Sequence, residues 1–157
     1  MSTDVKINRG LKSIYFERSG VSHIDGAKGE LSYRGYSIHD LATKSTFEEV
    51  SYLLIYGELP TPPQLAEFDH KLKAARRLPP AVYEIIKAAS AGHPMDVLRT
   101  AVSSLAALEP DSQKVSEEDF IENGIRLTSQ VPMIIAAHEN IRKRRQPIAA
   151  DPTLSLS

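Results

Sequence analysis

The chain has 157 residues, enough for one domain that buries roughly 70% of the surface it exposes when unfolded. Nineteen Lys and Arg against twenty Asp and Glu leave a formal charge of -1, so no excess of positive charge points to a nucleic acid. The absence of cysteine excludes a disulfide scaffold, a thiol enzyme and a Cys-ligated zinc module. No apolar run approaches the roughly 20 residues that span a bilayer, and the stretch from Met1 to Ile7 lacks the apolar segment of a secretory signal and carries Asp4. The expectation is a cytoplasmic protein with neither membrane nor nucleic acid as a partner.

Residues 12–36 form a region of strands and turns. Gly20, Gly26, Gly29 and Gly35, with Gly10 just ahead, are interspersed there with strand formers. The stretch Ser13-Ile-Tyr-Phe-Glu-Arg18 predicts a strand, and Asp25-Gly26 and Lys28-Gly29 supply the positive φ that a tight reversal before Glu30-Leu-Ser-Tyr-Arg34 needs. From residue 37 to 147 the apolar spacing becomes helical. A short helix over Ile38–Thr43 is followed by Thr46-Phe-Glu-Glu49, which has the form of a capping box. Phe47, Val50, Leu53 and Leu54 then share a face, and Gly57 ends that helix. Pro62 and Pro63 suit the first turn of the next, with Leu65, Phe68 and Leu72 inward and a close at Arg76-Arg77. Pro79-Pro80 opens a short helix burying Val82, Ile85 and Ile86.

Residues 94–108 form a stronger helix, on which Met95, Leu98, Val102, Leu105 and Leu108 step by three or four. Ser116-Glu-Glu-Asp119 caps a long helix over residues 116–145, with Phe120, Ile121, Ile125, Thr128, Val131, Ile135 and His138 as its stripe and a kink expected at Pro132. Residues 148–157 lack cap and period and read as a loose tail. The chain is thus one mainly α domain, 1–157, behind a small β-hairpin region.

The reactive side chains form no recognisable constellation. No two of His23, His39, His70, His93 and His138 lie three or four apart, so no helical turn presents two imidazoles to a metal. His93 reads as a helix-start group and His138 as a satisfied interface or core group. There is neither a Gly-x-Ser-x-Gly elbow nor a Gly-x-Gly-x-x-Gly loop. The run Arg142-Lys143-Arg144-Arg145 could bind the phosphates of a nucleotide or a coenzyme, but cations at a helix C-terminus are also what the macrodipole favours.

What rises above background is the order of several segments. They are Ile24-Asp25-Gly26, Gly29-Glu-Leu-Ser-Tyr33-Arg34-Gly35-Tyr36-Ser-Ile38, Asp40-Leu41-Ala42, Phe47-Glu48-Glu49-Val50 with Tyr52-Leu53-Leu54, Gly57-Glu58-Leu59-Pro60, and His93-Pro94-Met95-Asp96-Val97-Leu98-Arg99-Thr100-Ala101-Val102. Together they resemble citrate synthase, in the bacterial and archaeal branch that includes 2-methylcitrate synthases, over residues 7 to about 155. The resemblance implies a largely α-helical fold, here the first helices of the large domain, and a homodimer. It also implies the tricarboxylic acid cycle reaction, in which acetyl-CoA, a substrate rather than a cofactor, condenses with oxaloacetate to citrate and CoA. In that family an aspartate takes a proton from the acetyl methyl group, one histidine stabilises the enolic thioester, a second polarises the oxaloacetate carbonyl, and arginines hold the carboxylates.

This chain departs from the pattern. Family members are much longer, and their catalytic histidines lie in His-Gly-Gly and Gly-His-Arg segments; here Gly92-His93 is followed by Pro94, and neither segment occurs. No catalytic, cofactor-binding or metal-binding residue is therefore assigned. The expectation is a truncated, N-terminal portion of a citrate synthase-type acyltransferase that is inactive alone. The alternative is a non-catalytic interaction fragment that associates with itself or with a full-length synthase. In the family the two helices corresponding to 94–108 and 116–145 lie at the subunit interface. Met95, Leu98, Val102 and Leu105, with Ile125, Thr128, Ile135 and His138, would accordingly be left partly uncovered in a monomer.

Overall fold

The computed structural model describes residues 17–108 and 116–156. Among these residues three antiparallel strands lie in the order β1-β2-β3: β1 is Ser22–Asp25, β2 Glu30–Tyr33 and β3 Tyr36–Ser37. β1 and β2 pair from Ser22 opposite Tyr33 to Asp25 opposite Glu30. Their turn is held by Asp25, whose Oδ1 accepts from the backbone N–H groups of Ala27 (3.1 Å) and Lys28 (3.2 Å), while Gly29 takes φ +69°. Gly26, expected to share that role, is not among the positive-φ residues. The second reversal sits on Arg34 (φ 49°) and Gly35 (φ 88°) between the paired Tyr33 and Tyr36. Positive φ at both central residues is the two-residue turn whose twist matches the flanking strands. The strand expected over 13–18 lies largely outside the described residues, and Glu17 and Arg18 are in neither strand nor helix.

Among the described residues six helices follow: α1 Ile38–Lys44, α2 Phe47–Tyr56, α3 Pro62–Ala74, α4 Pro80–Ala88, α5 Pro94–Leu108 and α6 Glu117–Arg142. Their starts follow the capping chemistry. Thr46 Oγ1 accepts from Glu49 N (3.2 Å) while Glu49 Oε2 accepts from Thr46 N (2.7 Å), and Ser116 with Asp119 repeats the reciprocal arrangement at the head of α6. Gly57, at φ 94°, ends α2.

Two helices stop earlier than expected. α3 ends at Ala74 rather than Arg77, since the chain must become extended before Pro79-Pro80. α6 ends at Arg142 rather than Arg145: Lys143 N and Arg145 N both donate to Asn140 O, and Arg144 turns left-handed at φ 57°. α6 is otherwise unbroken through Pro132, with Ser129 Oγ donating to Ile125 O at 3.1 Å.

α6 joins the two parts of the core. Near its start Ile125 packs with Tyr52 of α2 and Phe68 and Leu72 of α3. Tyr52 and Phe68 meet edge to face, with ring centroids 5.4 Å apart. Towards its end Ile134 and Ala137 pack with Leu78, Val82 and Ile86 around α4 and with Val97, Ala101 and Leu105 of α5. Burial of each such Leu or Ile side chain contributes about 1.5–3 kcal/mol.

The inward faces differ from the expected stripes. On α5 the buried set is Val97, Ala101 and Leu105, not Met95, Leu98 and Val102; on α6 it is Ile125, Ser129, Gln130, Ile134, Ala137 and His138, while Phe120 and Ile135 are exposed. Phe47, expected inward on α2, is also exposed. The reason is helix proximity, because small residues such as Ala101, Ser129 and Ala137 let backbones approach and larger neighbours are turned outward. The tail over residues 148–156 has no helix or strand, yet it is attached to the helical part. Arg76 Nη1 donates to Asp151 O (3.0 Å), and Leu156 N donates to Glu48 Oε1 (2.9 Å).

Candidate functional site

The histidines are scattered. His23 on β1, His39 on α1, His70 on α3 and His93 ahead of α5 are exposed, and His93 Nδ1 accepts from Met95 N at 3.3 Å, a helix-start role. His138 is buried on α6 with Nε2 3.4 Å from Ser90 O. It is a satisfied core group rather than part of an uncovered stripe. Among the described residues no cluster of His, Asp and Glu could hold a metal ion.

The basic run at the end of α6 is partly neutralised locally. Glu139 accepts from Arg142 Nε and pairs with Lys143 Nζ at 2.5 Å. Hydrogen bonds from Arg142 and then Lys143 hold the Glu139 carboxyl down at about 2. Arg144 and Arg145 border an open groove of about 670 Å³ together with Tyr83, Lys87 and Ile148. Their place past the last turn suits the negative end of the α6 dipole.

Exposed and half-buried apolar side chains also stand on α5 and α6. The two helices run antiparallel: Val102 and Ala106 of the later part of α5 share one groove with Asn123 and Leu127 of the earlier part of α6, while Ser90, just before α5, meets His138 near the far end of α6. On α5, Met95 is 63% exposed, and Leu98 and Val102 are half-buried. On α6, Leu127, Val131 and Ile135 stand at i, i+4 and i+8 and so share one face; Leu127 is 39% and Ile135 53% exposed. With equal rise in both helices, the level of Val102 and Leu127 continues to that of Leu98 and Val131 and then Met95 and Ile135.

This apolar strip overlaps the expected surface only in part. Met95, Leu98, Val102 and Ile135 belong to it and Thr128 is half-buried, whereas Leu105, Ile125 and His138 are core. Leu127 and Val131 complete it, and their spacing from Ile135 was the signal that would have found Leu127.

Comparison with known proteins gives the surface a context. A family model described as "Citrate synthase, C-terminal domain" matches residues 10–157. The chain belongs to the citrate synthase family. It is 41% identical over 152 residues to a citrate synthase of Acidithiobacillus ferridurans, covering 93% of this chain and 39% of that protein. It is 35% identical over 157 residues to 2-methylcitrate synthase 2 of Corynebacterium glutamicum, covering 99% of this chain and 41% of the relative. The fold superimposes on the crystal structure of citrate synthase from Pyrobaculum aerophilum with a TM-score of 0.87 and 34% identity, over 92% of this chain and 39% of that one. This citrate synthase-family chain thus spans about two fifths of the length of these relatives. Among its described residues no helix is long and apolar enough to cross a membrane.

Proposed function

We propose that this chain is an N-terminal portion of a citrate synthase-type acyltransferase, that it does not by itself condense acetyl-CoA with oxaloacetate, and that the α5–α6 strip associates with a second copy. The observation that supports the first part is chemical. Proton abstraction from an acetyl methyl group needs a base and an enol-stabilising group within about 3 Å of the reacting atoms. The four exposed histidines are distributed over β1, α1, α3 and the start of α5, and His138 is enclosed in the core. The family's His-Gly-Gly and Gly-His-Arg segments do not occur in the sequence. Thiol release from acetyl-CoA in the presence of oxaloacetate tests this. The purified chain should show the no-enzyme rate, whereas heat-labile release that persists after removal of host synthase would refute it.

The exposed Met95 of α5, the exposed Leu127 and Ile135 of α6 and the groove that Val102 shares with Leu127 support the second part. Apolar patches beyond a few hundred Å² are uncommon on monomers and mark partner surfaces. Co-purification with a tagged full-length synthase, with no self-association, would transfer the strip to that partner.

A further inference from the structure

We infer that the start of α6 in one copy docks into the groove between α4 and the end of α6 in a second copy, so that chains associate head to tail. The first turn of α6 holds Glu117, Glu118 and Asp119. Glu117 and Phe120 stand three apart and share a face; Glu117 is exposed, and Phe120 is 63% exposed. The far end of the same helix is complementary. Its groove of about 670 Å³ has Lys87, Arg144 and Arg145 in its wall, beside the half-buried Tyr83 and Ile141 and beside Ile148, which is 77% exposed. The helix dipole accounts for acids at one end and cations at the other. It does not account for the large apolar side chains left in water next to them.

The cations of the groove are available to a partner. Glu139 engages Arg142 and Lys143, and the acid in the groove wall, Glu84, lies 4.0 Å from Lys87. Among the described residues neither Arg144 nor Arg145 has an acidic partner. Arg144 N donates to Ile141 O and Arg145 N to Asn140 O, so these last-turn carbonyls already have donors. α6 has 26 residues, a length of about 39 Å, which keeps its own start from its own groove. The complementary pair is therefore made between copies. None of Met95, Val102, Leu127 and Ile135 lines the groove, so the contact is separate from the α5–α6 strip. Each copy keeps one free start and one free groove, and such a heterologous contact adds chains one after another. One helical turn in one groove is far smaller than a standard interface, which sets a dissociation constant on the order of a millimolar and leaves the contact mostly empty at tens of micromolar.

The test is sedimentation equilibrium of the whole chain at about millimolar concentration and low salt, in a Met95→Asp/Ile135→Asp background so that the α5–α6 strip does not contribute. The expected result is a mean mass above the monomer that falls on dilution and on adding salt. Glu117→Lys/Glu118→Lys and Arg144→Glu/Arg145→Glu should each lose it, and Phe120→Ser, which leaves every charge in place, should weaken it. An equal mixture of the two charge variants should regain association, because it brings a native start on one chain to a native groove on another. A monomer in the background at every concentration, charge variants that still associate, or a mixture that stays monomeric would overturn the inference. If the background fails to fold, the unmodified chain decides: its Arg144 and Arg145 Nε–H resonances should move between tens of micromolar and about millimolar protein, and fixed resonances would overturn it. Failure of the strip alone shows separately, as a monomer of the unmodified chain at tens of micromolar.

Discussion

Glu48, in the first turn of α2, accepts a hydrogen bond from the backbone N–H of Leu156 at 2.9 Å, across 108 positions of sequence. The carboxylate is 7% exposed, so this contact fastens the tail from inside. Removing the acceptor breaks a part-buried hydrogen bond, at a cost of about 0.5–1.5 kcal/mol. Glu48→Ala should lower stability by about that amount in urea denaturation and speed amide exchange at Leu156, whereas Glu48→Gln, which keeps an acceptor, should retain most of the protection. Equal exchange in all three proteins would show that the contact does not hold the tail.

The reversal at Arg34-Gly35 isolates a backbone effect. Gly35 takes φ 88°, and an added Cβ would meet nothing within 4 Å. Gly35→Ala therefore meets no neighbour and carries only the backbone strain of an L side chain at positive φ, with an expected cost of about 1 kcal/mol or more. Gly26→Ala, which also meets open space and has no positive φ, should be close to neutral by comparison. Thermal melts of the pair check this; equal losses would contradict the turn assignment.

Acid should loosen the end of α6. Glu139 has its pKa lowered from 4.5 to about 2, first by its hydrogen bond from Arg142 and then by that from Lys143. A depressed carboxylate supplies stability that is present above its unfolded pKa and is lost as pH falls through the folded one. The contribution should therefore fade between pH 4.5 and about 2. The group is exposed, so the effect should also shrink with added salt. Measured by amide exchange in the last turn of α6, Glu139→Gln should flatten this pH dependence at low salt while leaving the core unchanged.

The helices were legible because their punctuation is local. Thr46 with Glu49, Ser116 with Asp119, the prolines at 62 and 80, and Gly57 each act within one turn. The family, too, could be read from ordered segments such as Tyr33-Arg34-Gly35-Tyr36 and His93-Pro94-Met95. Which face of α5 and α6 turns inward could not be read in the same way. Ala101, Ser129 and Ala137 are buried because other helices approach them, while the larger Met95, Phe120 and Ile135 are left outside. Periodicity marks an apolar stripe but not the partner that covers it. The attachments of Arg76 and Glu48 to the tail are contacts of high sequence separation and leave no local signal.

The α5–α6 strip is tested most directly by light scattering of the purified chain at tens of micromolar, beside a Met95→Asp/Ile135→Asp double variant. Both side chains are more than half exposed, so the substitutions spare the core. Leu105→Asp, by contrast, would bury an unpaired carboxylate at a position 4% exposed and is expected to unfold the chain. The account predicts a dimer for the unmodified chain and a folded monomer, with unchanged helical circular dichroism, for the double variant. A folded monomer in both cases would contradict it and leave the strip as ordinary surface.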